Sequence, residues 1–411
     1  MARMPEPAQE FGPARTVPAD SPSRGLLERD EVQLVGLTLL VKLAILNFGV
    51  FAVTVIAGRQ LGPGLRGILQ IWNYWDAPHY LDLAVLGYRA VDPGVQVIEG
   101  YQRAYPGDLP LYIVFFPLFP WLVGAVNTLL HEPLVSAFVV STVASLFAAP
   151  LLYRLVRADE ERRVALLAAW FLLIFPTAYF LHIGYTESLF LALVLGSFLA
   201  ARNDRWWLAG LLGGLAALTR VNGLVLIPAL AADARLAWDA DPEHRIRAEW
   251  LAIGLVAVGF AGYLALNLVV YGDAFAFLRI QHDHWFKELA PPWQGISGVI
   301  HFITDSSQPI DAIKYGWFEL AFIVLGLAGT VVAAIRLRPS WFVWMAGNWL
   351  LFTSTSFVLS VPRYSLTLFP LFVWFALLGR RPAVAVVGLS VVSAGLLGYF
   401  VSEFAVGRWA F

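Results

Sequence analysis

LVGLTLLVKLAILNFGVFAVTVIA, residues 34–57, carries one charge, Lys42, in an otherwise apolar run. As a helix it rises about 1.5 Å per residue and exceeds the ~30 Å hydrocarbon core of a bilayer. It is too long for the apolar core of a signal peptide, so it reads as a retained span. Residues 1–32 ahead of it are polar and Pro-rich, the signature of a disordered tail.

Working outward, apolar runs recur at 111–130, 134–156, 164–181, 187–201, 206–219, 223–236, 250–270, 315–335, 341–360, 364–379 and 382–402. Over 411 residues the chain is 59% hydrophobic and 14% charged, with a mean hydropathy of +0.69. These values lie far from a soluble domain. The runs are continuous, whereas a membrane β-barrel would alternate apolar and polar residues. The expected class is an all-α polytopic membrane protein. A net charge of −1 offers no basic field for nucleic acid, and the absence of cysteine removes disulfides, thiolate metal sites and thiol nucleophiles.

Topology follows from basic residues. Clusters occur at Arg154, Arg157, Arg162 and Arg163; Arg202 and Arg205; Arg235, Arg245 and Arg247; Arg336 and Arg338; Arg380 and Arg381. All fall on the cytoplasmic side, with the tail, if 111–130 does not cross. Phe115-Phe116-Pro117-Leu118-Phe119-Pro120-Trp121 supports that: two prolines disfavour a continuous interior helix, and the aromatics suit an interface. About eleven spans result, in one domain over 33–403, with outer loops at 58–133 and 272–314 and a short outer tail at 404–411. The runs 206–219 and 223–236 are short, and read either as two helices or as one helix broken at Arg220-Val221-Asn222-Gly223.

This topology gathers polar residues on the outer side, where ionisable groups near a membrane are functional candidates. Trp72-Asn73-Tyr74-Trp75-Asp76-Ala77-Pro78-His79-Tyr80 follows the first span. Asp76 is a candidate general base; the structural alternative is a helix N-cap ahead of Pro78. Asp82 reads as a surface residue on another face of the same helix. Glu187 opens a span, where a carboxylate also suits the helix dipole. His182 reads as a hydrogen-bonded interface residue. Arg220 and Arg363 stand at outer turns against the positive-inside trend; guanidinium matches phosphate, and the alternative is a snorkelling anchor. His282-Asp283-His284 invites a metal reading, but the spacing does not suit a helical chelate.

In order, Trp75-Asp76-Ala77-Pro78-His79-Tyr80, Phe115 to Pro120, Phe175-Pro176-Thr177-Ala178-Tyr179, Tyr185-Thr186-Glu187-Ser188, Thr219-Arg220-Val221-Asn222-Gly223, Gln281 to Trp285 and Pro362-Arg363-Tyr364 resemble the PIG-V mannosyltransferases of the GT-C superfamily. The resemblance covers about 70–400. It implies an integral-membrane, inverting glycosyltransferase using a polyprenyl-phosphate sugar donor, expected to be mannose. The acceptor would be a lipid-linked or extracytoplasmic hydroxyl. The site would face outward, in a bacterial plasma membrane. Asp76 matches the superfamily's catalytic position and Glu187 its second acidic position.

On this reading Asp76 is the base. Trp72, Trp75 and Tyr80 stack on sugars, and Arg220 and Arg363 hold the donor phosphate. Glu187 orients the acceptor or, with Asp76, holds a divalent cation such as Mg or Mn. His79, Asn222, Gln281, Trp285 and Tyr364 complete the substrate surface. The expected partners are the donor, the acceptor and membrane lipids. The alternatives are a transporter or flippase of a lipid phosphate using the same arginines, for which inverted repeats would be expected and none is visible, and a sugar-binding scaffold without turnover. The enzymatic reading requires Asp76, Arg220 and Arg363 to converge on one crevice.

Overall fold

The structure is a computed structural model, described for residues 29–94, 101–379 and 383–411. Residues 1–28 of the expected tail, and Arg380 and Arg381 of the last basic cluster, lie outside those residues. Helices supply all the regular structure described, apart from isolated bridge residues such as the antiparallel pair Leu289 and Thr355. That is what a bilayer demands, because a helix satisfies its own backbone groups.

Among the described residues, six helices are long and apolar enough to cross a membrane: Arg29–Ile56, Pro133–Arg157, Val221–Ala240, Ala248–Tyr271, Pro309–Arg336 and Ala383–Ala405. The other five expected spans are the shorter helices Arg162–Leu173, Glu187–Arg202, Trp206–Ala217, Pro339–Thr353 and Pro370–Leu378. Except for Glu187–Arg202, their apolar runs extend past their helices, because turns finish them. Phe175 to Leu181, for example, is fully buried yet leaves the helix for a 3-10 turn.

The run 206–236 forms two helices, joined by a 3-10 turn at Val221–Val225. Gly223 permits the reversal: a Cβ there would lie 2.5 Å from the Ala217 nitrogen. The expected non-crossing segment is a 3-10 turn at Leu109–Val114 and a 13-residue helix, Leu118–Leu130, packed on the helices Asp76–Leu86 and Pro133–Arg157.

The basic turns cohere at one end. Arg154 pairs with Glu31, Arg162 with Asp30 at 2.6 Å, Arg202 with Asp159, Arg247 with Asp204 at 3.1 Å, and Arg338 with Asp233 at 3.1 Å. Helices leaving that end arrive at the opposite end beside Glu187, Arg220 and Arg363.

Candidate active site

Two turns of unusual backbone deliver the central groups. Trp75 has φ 58° and ψ −113°, a conformation costly for any residue but glycine. It turns the chain into the helix Asp76–Leu86, whose first residue is Asp76. The N-cap position is Trp75, and Asp76 is the first helical residue, so the N-cap alternative does not hold. Ser360, with φ 70°, turns the chain into the helix Val361–Ser365. Glu319, fully buried, accepts the Ser360 and Val361 N–H groups at 2.7 and 2.8 Å and seats that helix.

The seated helix places Arg363 between two acids. Its Nη1 donates to Asp76 Oδ2 at 2.6 Å and its Nε to Glu187 Oε1 at 2.5 Å. Arg220 Nη1 donates to the same Glu187 oxygen at 2.5 Å and to Thr186 Oγ1 at 2.9 Å. Asp76, Arg220 and Arg363 therefore converge, from helices spread over the chain. The Arg363 guanidinium lies 4.8 Å from the Phe180 ring centroid and 4.6 Å from that of Tyr185, a cation–π setting.

The carboxyl of Asp76 is held below its ordinary range. Burial pushes it up, and the charge and hydrogen bond of Arg363, helped by His79 and Arg220, more than reverse this. His79 is pushed down by burial against the opposing pull of Asp76, so it favours the neutral form.

Two cavities meet at this pair. One, of about 550 Å³, is walled by apolar groups such as Phe116, Phe277, Leu289 and Phe352, with Arg220 and Asn222 on one side. The other, of about 460 Å³, carries Trp75, His79, Tyr105, Asp108 and Trp285. Asp76, Gln281, Lys287, Arg363 and Tyr364 line both, while Tyr80 faces the first only.

Several expected placements need correction. Trp72 cannot stack on a sugar: it is fully buried, stacked on Phe404 at 6.2 Å, in space that a Cβ on Gly49 would fill. Glu187 is fully buried and lines neither cavity, so it does not reach an acceptor; it holds the two arginines instead. As arranged, Asp76 and Glu187 do not make a divalent-cation cage, because the Arg363 guanidinium stands between them. No group of three or more candidate metal-binding side chains occurs among the described residues, the exposed His282 stretch included.

Asp82 is not a surface residue. It is buried against Tyr101 and Arg103, and Arg103 also clamps Asp92 at 2.7 Å. His182 is fully buried with both ring nitrogens unpartnered; its backbone carbonyl accepts Lys42 Nζ at 2.7 Å. Burial, with the Lys42 charge, pushes its imidazole down to about 3. Asn222 is turned partly away, donating to Asn348 at 2.9 Å.

The family described as dolichyl-phosphate-mannose-protein mannosyltransferase matches residues 110–271. GPI alpha-1,6-mannosyltransferase 2 of Mus musculus is 27% identical over 327 residues, covering 72% of this chain and 61% of its own length. The Rattus norvegicus protein of the same name is 27% identical over 326 residues, with the same two coverages. The chain thus spans about three-fifths of the length of these curated relatives. Among solved structures, ArnT from Cupriavidus metallidurans bound to undecaprenyl phosphate superposes with a TM-score of 0.51 at 17% identity, covering 91% of this chain and 68% of that one. The chain is similar in sequence to GPI alpha-1,6-mannosyltransferase 2 and shares the fold of ArnT.

The fold adds groups that sequence reasoning missed. Glu319 sits inside an apolar run with no motif around it. Lys287 was visible only as one charge of the outer loop. Trp409 and Phe411 belong to a segment expected to be a short outer tail. They return to wall the second cavity, with Trp409 edge-on to Trp75 at 5.0 Å. A tryptophan and a phenylalanine in so short a tail were the available signal.

Proposed function

We propose that the chain is an inverting mannosyltransferase that moves a sugar from a polyprenyl-phosphate donor to a hydroxyl of a lipid-linked or extracytoplasmic acceptor. The observation that carries this reading is the Asp76–Arg363 pair at the junction of an apolar cavity and an aromatic, polar one. The first has the chemistry of a polyprenyl chain ending in a phosphate, the second that of a carbohydrate. The likeness to GPI alpha-1,6-mannosyltransferase 2 supports mannose and a dolichyl- or polyprenyl-linked donor.

In the proposed step the acceptor oxygen attacks the sugar C1 as the bond from C1 to the phosphate oxygen breaks. That electron pair leaves on the phosphate, and the acceptor proton passes to Asp76. A single displacement inverts C1 and needs one base. Arg363 orients Asp76 through Oδ2 and leaves Oδ1 for the proton, in a side chain that is 32% exposed. Arg220 presents its remaining N–H groups to the donor cavity, so the developing phosphate charge meets donors already in place. Trp75, His79 and Trp285 would contact the acceptor; Tyr80, Gln281 and Tyr364 would frame C1.

The test uses purified protein with a polyprenyl-phosphate mannose. Wild type is expected to release polyprenyl phosphate with appearance of a mannosylated product. Asp76→Asn, which keeps an oxygen for Arg363, is expected to lose about 10²- to 10⁴-fold in rate while still binding the donor. Full activity in this variant would remove Asp76 from the base role. Donor binding with no turnover in wild type would favour a flippase.

A further inference from the structure

The four central groups carry no net charge: Asp76 and Glu187 offset Arg220 and Arg363, all within one hydrogen-bonded chain. A lipid phosphate arriving beside them would find both guanidinium charges already offset by carboxylates, although Arg220 keeps N–H groups free to donate. Lys287 is different. Half-buried, it lines both cavities and makes no ion pair among the described residues. Its ammonium lies 5.8 Å from the Tyr364 ring centroid and 5.6 Å from that of Phe357. The Arg220 guanidinium lies 5.4 Å from the same Tyr364 ring, so two cations from separate parts of the chain gather at one aromatic side chain.

The backbone around Lys287 is built to hold it. Phe286 adopts φ 53°, ending the helix Ala276–Trp285, and Lys287 N donates to Gln281 O at 3.2 Å. The next residues pair with 354–356: Ser356 N donates to Glu288 O at 2.9 Å and Ala290 N to Ser354 O at 3.2 Å. Glu288, the acid nearest in sequence, reaches toward His282 at 3.7 Å.

Resting on the glycosyl-transfer reading, we infer that Lys287 is the unpaired positive charge that binds the donor's phosphate, between itself and Arg220 over Tyr364, and stabilises it as it leaves. In the transfer step the phosphate gains the electron pair of the broken C1–O bond. Lys287 stays protonated throughout and answers that added charge. The competing account is that Lys287 merely anchors the outer loop on two rings.

The experiment compares binding of a polyprenyl monophosphate, the matching phosphate-free polyprenol and inorganic phosphate to wild type, Lys287→Met and Lys287→Arg. Wild type is expected to prefer the monophosphate over the polyprenol, and inorganic phosphate to compete only weakly, which marks a lipid phosphate as the ligand. Lys287→Met should bind the monophosphate roughly 10- to 100-fold more weakly, with polyprenol binding unchanged, and Lys287→Arg should restore most of the loss. Equal monophosphate affinity in wild type and Lys287→Met overturns the inference, as does a parallel loss for the polyprenol, which marks a loop anchor. If wild type makes no distinction between monophosphate and polyprenol, the donor reading falls with it; the inference alone falls if the distinction survives in Lys287→Met.

Discussion

A base that is already ionised and tied to an arginine is a weak base, and Asp76 in its proposed role is one. Burial alone would raise its pKa, but Arg363 reverses this and holds it below the ordinary carboxylate range. Weakness is tolerable here. A hydroxyl attacking a sugar carbon that develops oxocarbenium character sheds its proton readily as the new bond forms. The sign of the shift makes a prediction. A depressed carboxyl stays ionised as pH falls through its usual value, so its loss as a base, and the loss of the Asp76–Arg363 attraction from stability, come only below that value. The profile of kcat/KM is therefore expected to be flat on its acidic side between about pH 5 and 7. An acidic limb with its midpoint inside that interval would show that the titrating group is not Asp76 in the pairing described.

At the scale of elements, the site depends on a short piece that no hydrophobic pattern announces. The helix Val361–Ser365 is one turn long and cannot hold itself. Glu319 holds it, by placing a buried carboxylate on the two N–H groups at its start. Glu319→Ala would strand both donors in the interior and cost about 1–3 kcal/mol for each. Glu319→Gln keeps one acceptor and should fold more nearly normally. Its expected signature is a fall in kcat of roughly 10- to 100-fold, with the KM for donor changed far less, because Arg363 shifts by a fraction of a bond length and Asp76 with it. Steady-state kinetics on purified Glu319→Gln checks this. An unchanged kcat in a protein of normal melting temperature would show that the capped helix does not set the geometry.

Across the whole molecule, the basic turns and the Asp76 site stand at opposite ends of the helices, and under the proposed orientation, with the basic turns inside, the site faces the extracytoplasmic side. The chain has no cysteine, which makes this directly testable. In intact cells, a membrane-impermeant maleimide is expected to label Glu288→Cys, at the mouth of the donor cavity. Arg245→Cys, in an exposed loop between Val221–Ala240 and Ala248–Tyr271, should label only after permeabilisation. The reverse pattern would put the site in the cytoplasm.

The class of protein, the order of its apolar segments and the gathering of Asp76, Arg220 and Arg363 at one end of the helices were legible in the residues themselves. Hydropathy and the placement of Arg are properties of composition along a line. The division of labour among the polar groups was not legible. Glu187 reads equally well as a ligand for substrate or as a clamp for arginines, and only its burial between Arg220 and Arg363 decides. Trp72 and Trp75 are alike on paper and separate into core and cavity wall because Gly49 leaves room for one of them. Glu319 and Lys287 owe their importance to neighbours that are distant in the chain. Burial and pairing depend on which helices meet, and in a fold whose spans are all apolar, local sequence carries little record of that.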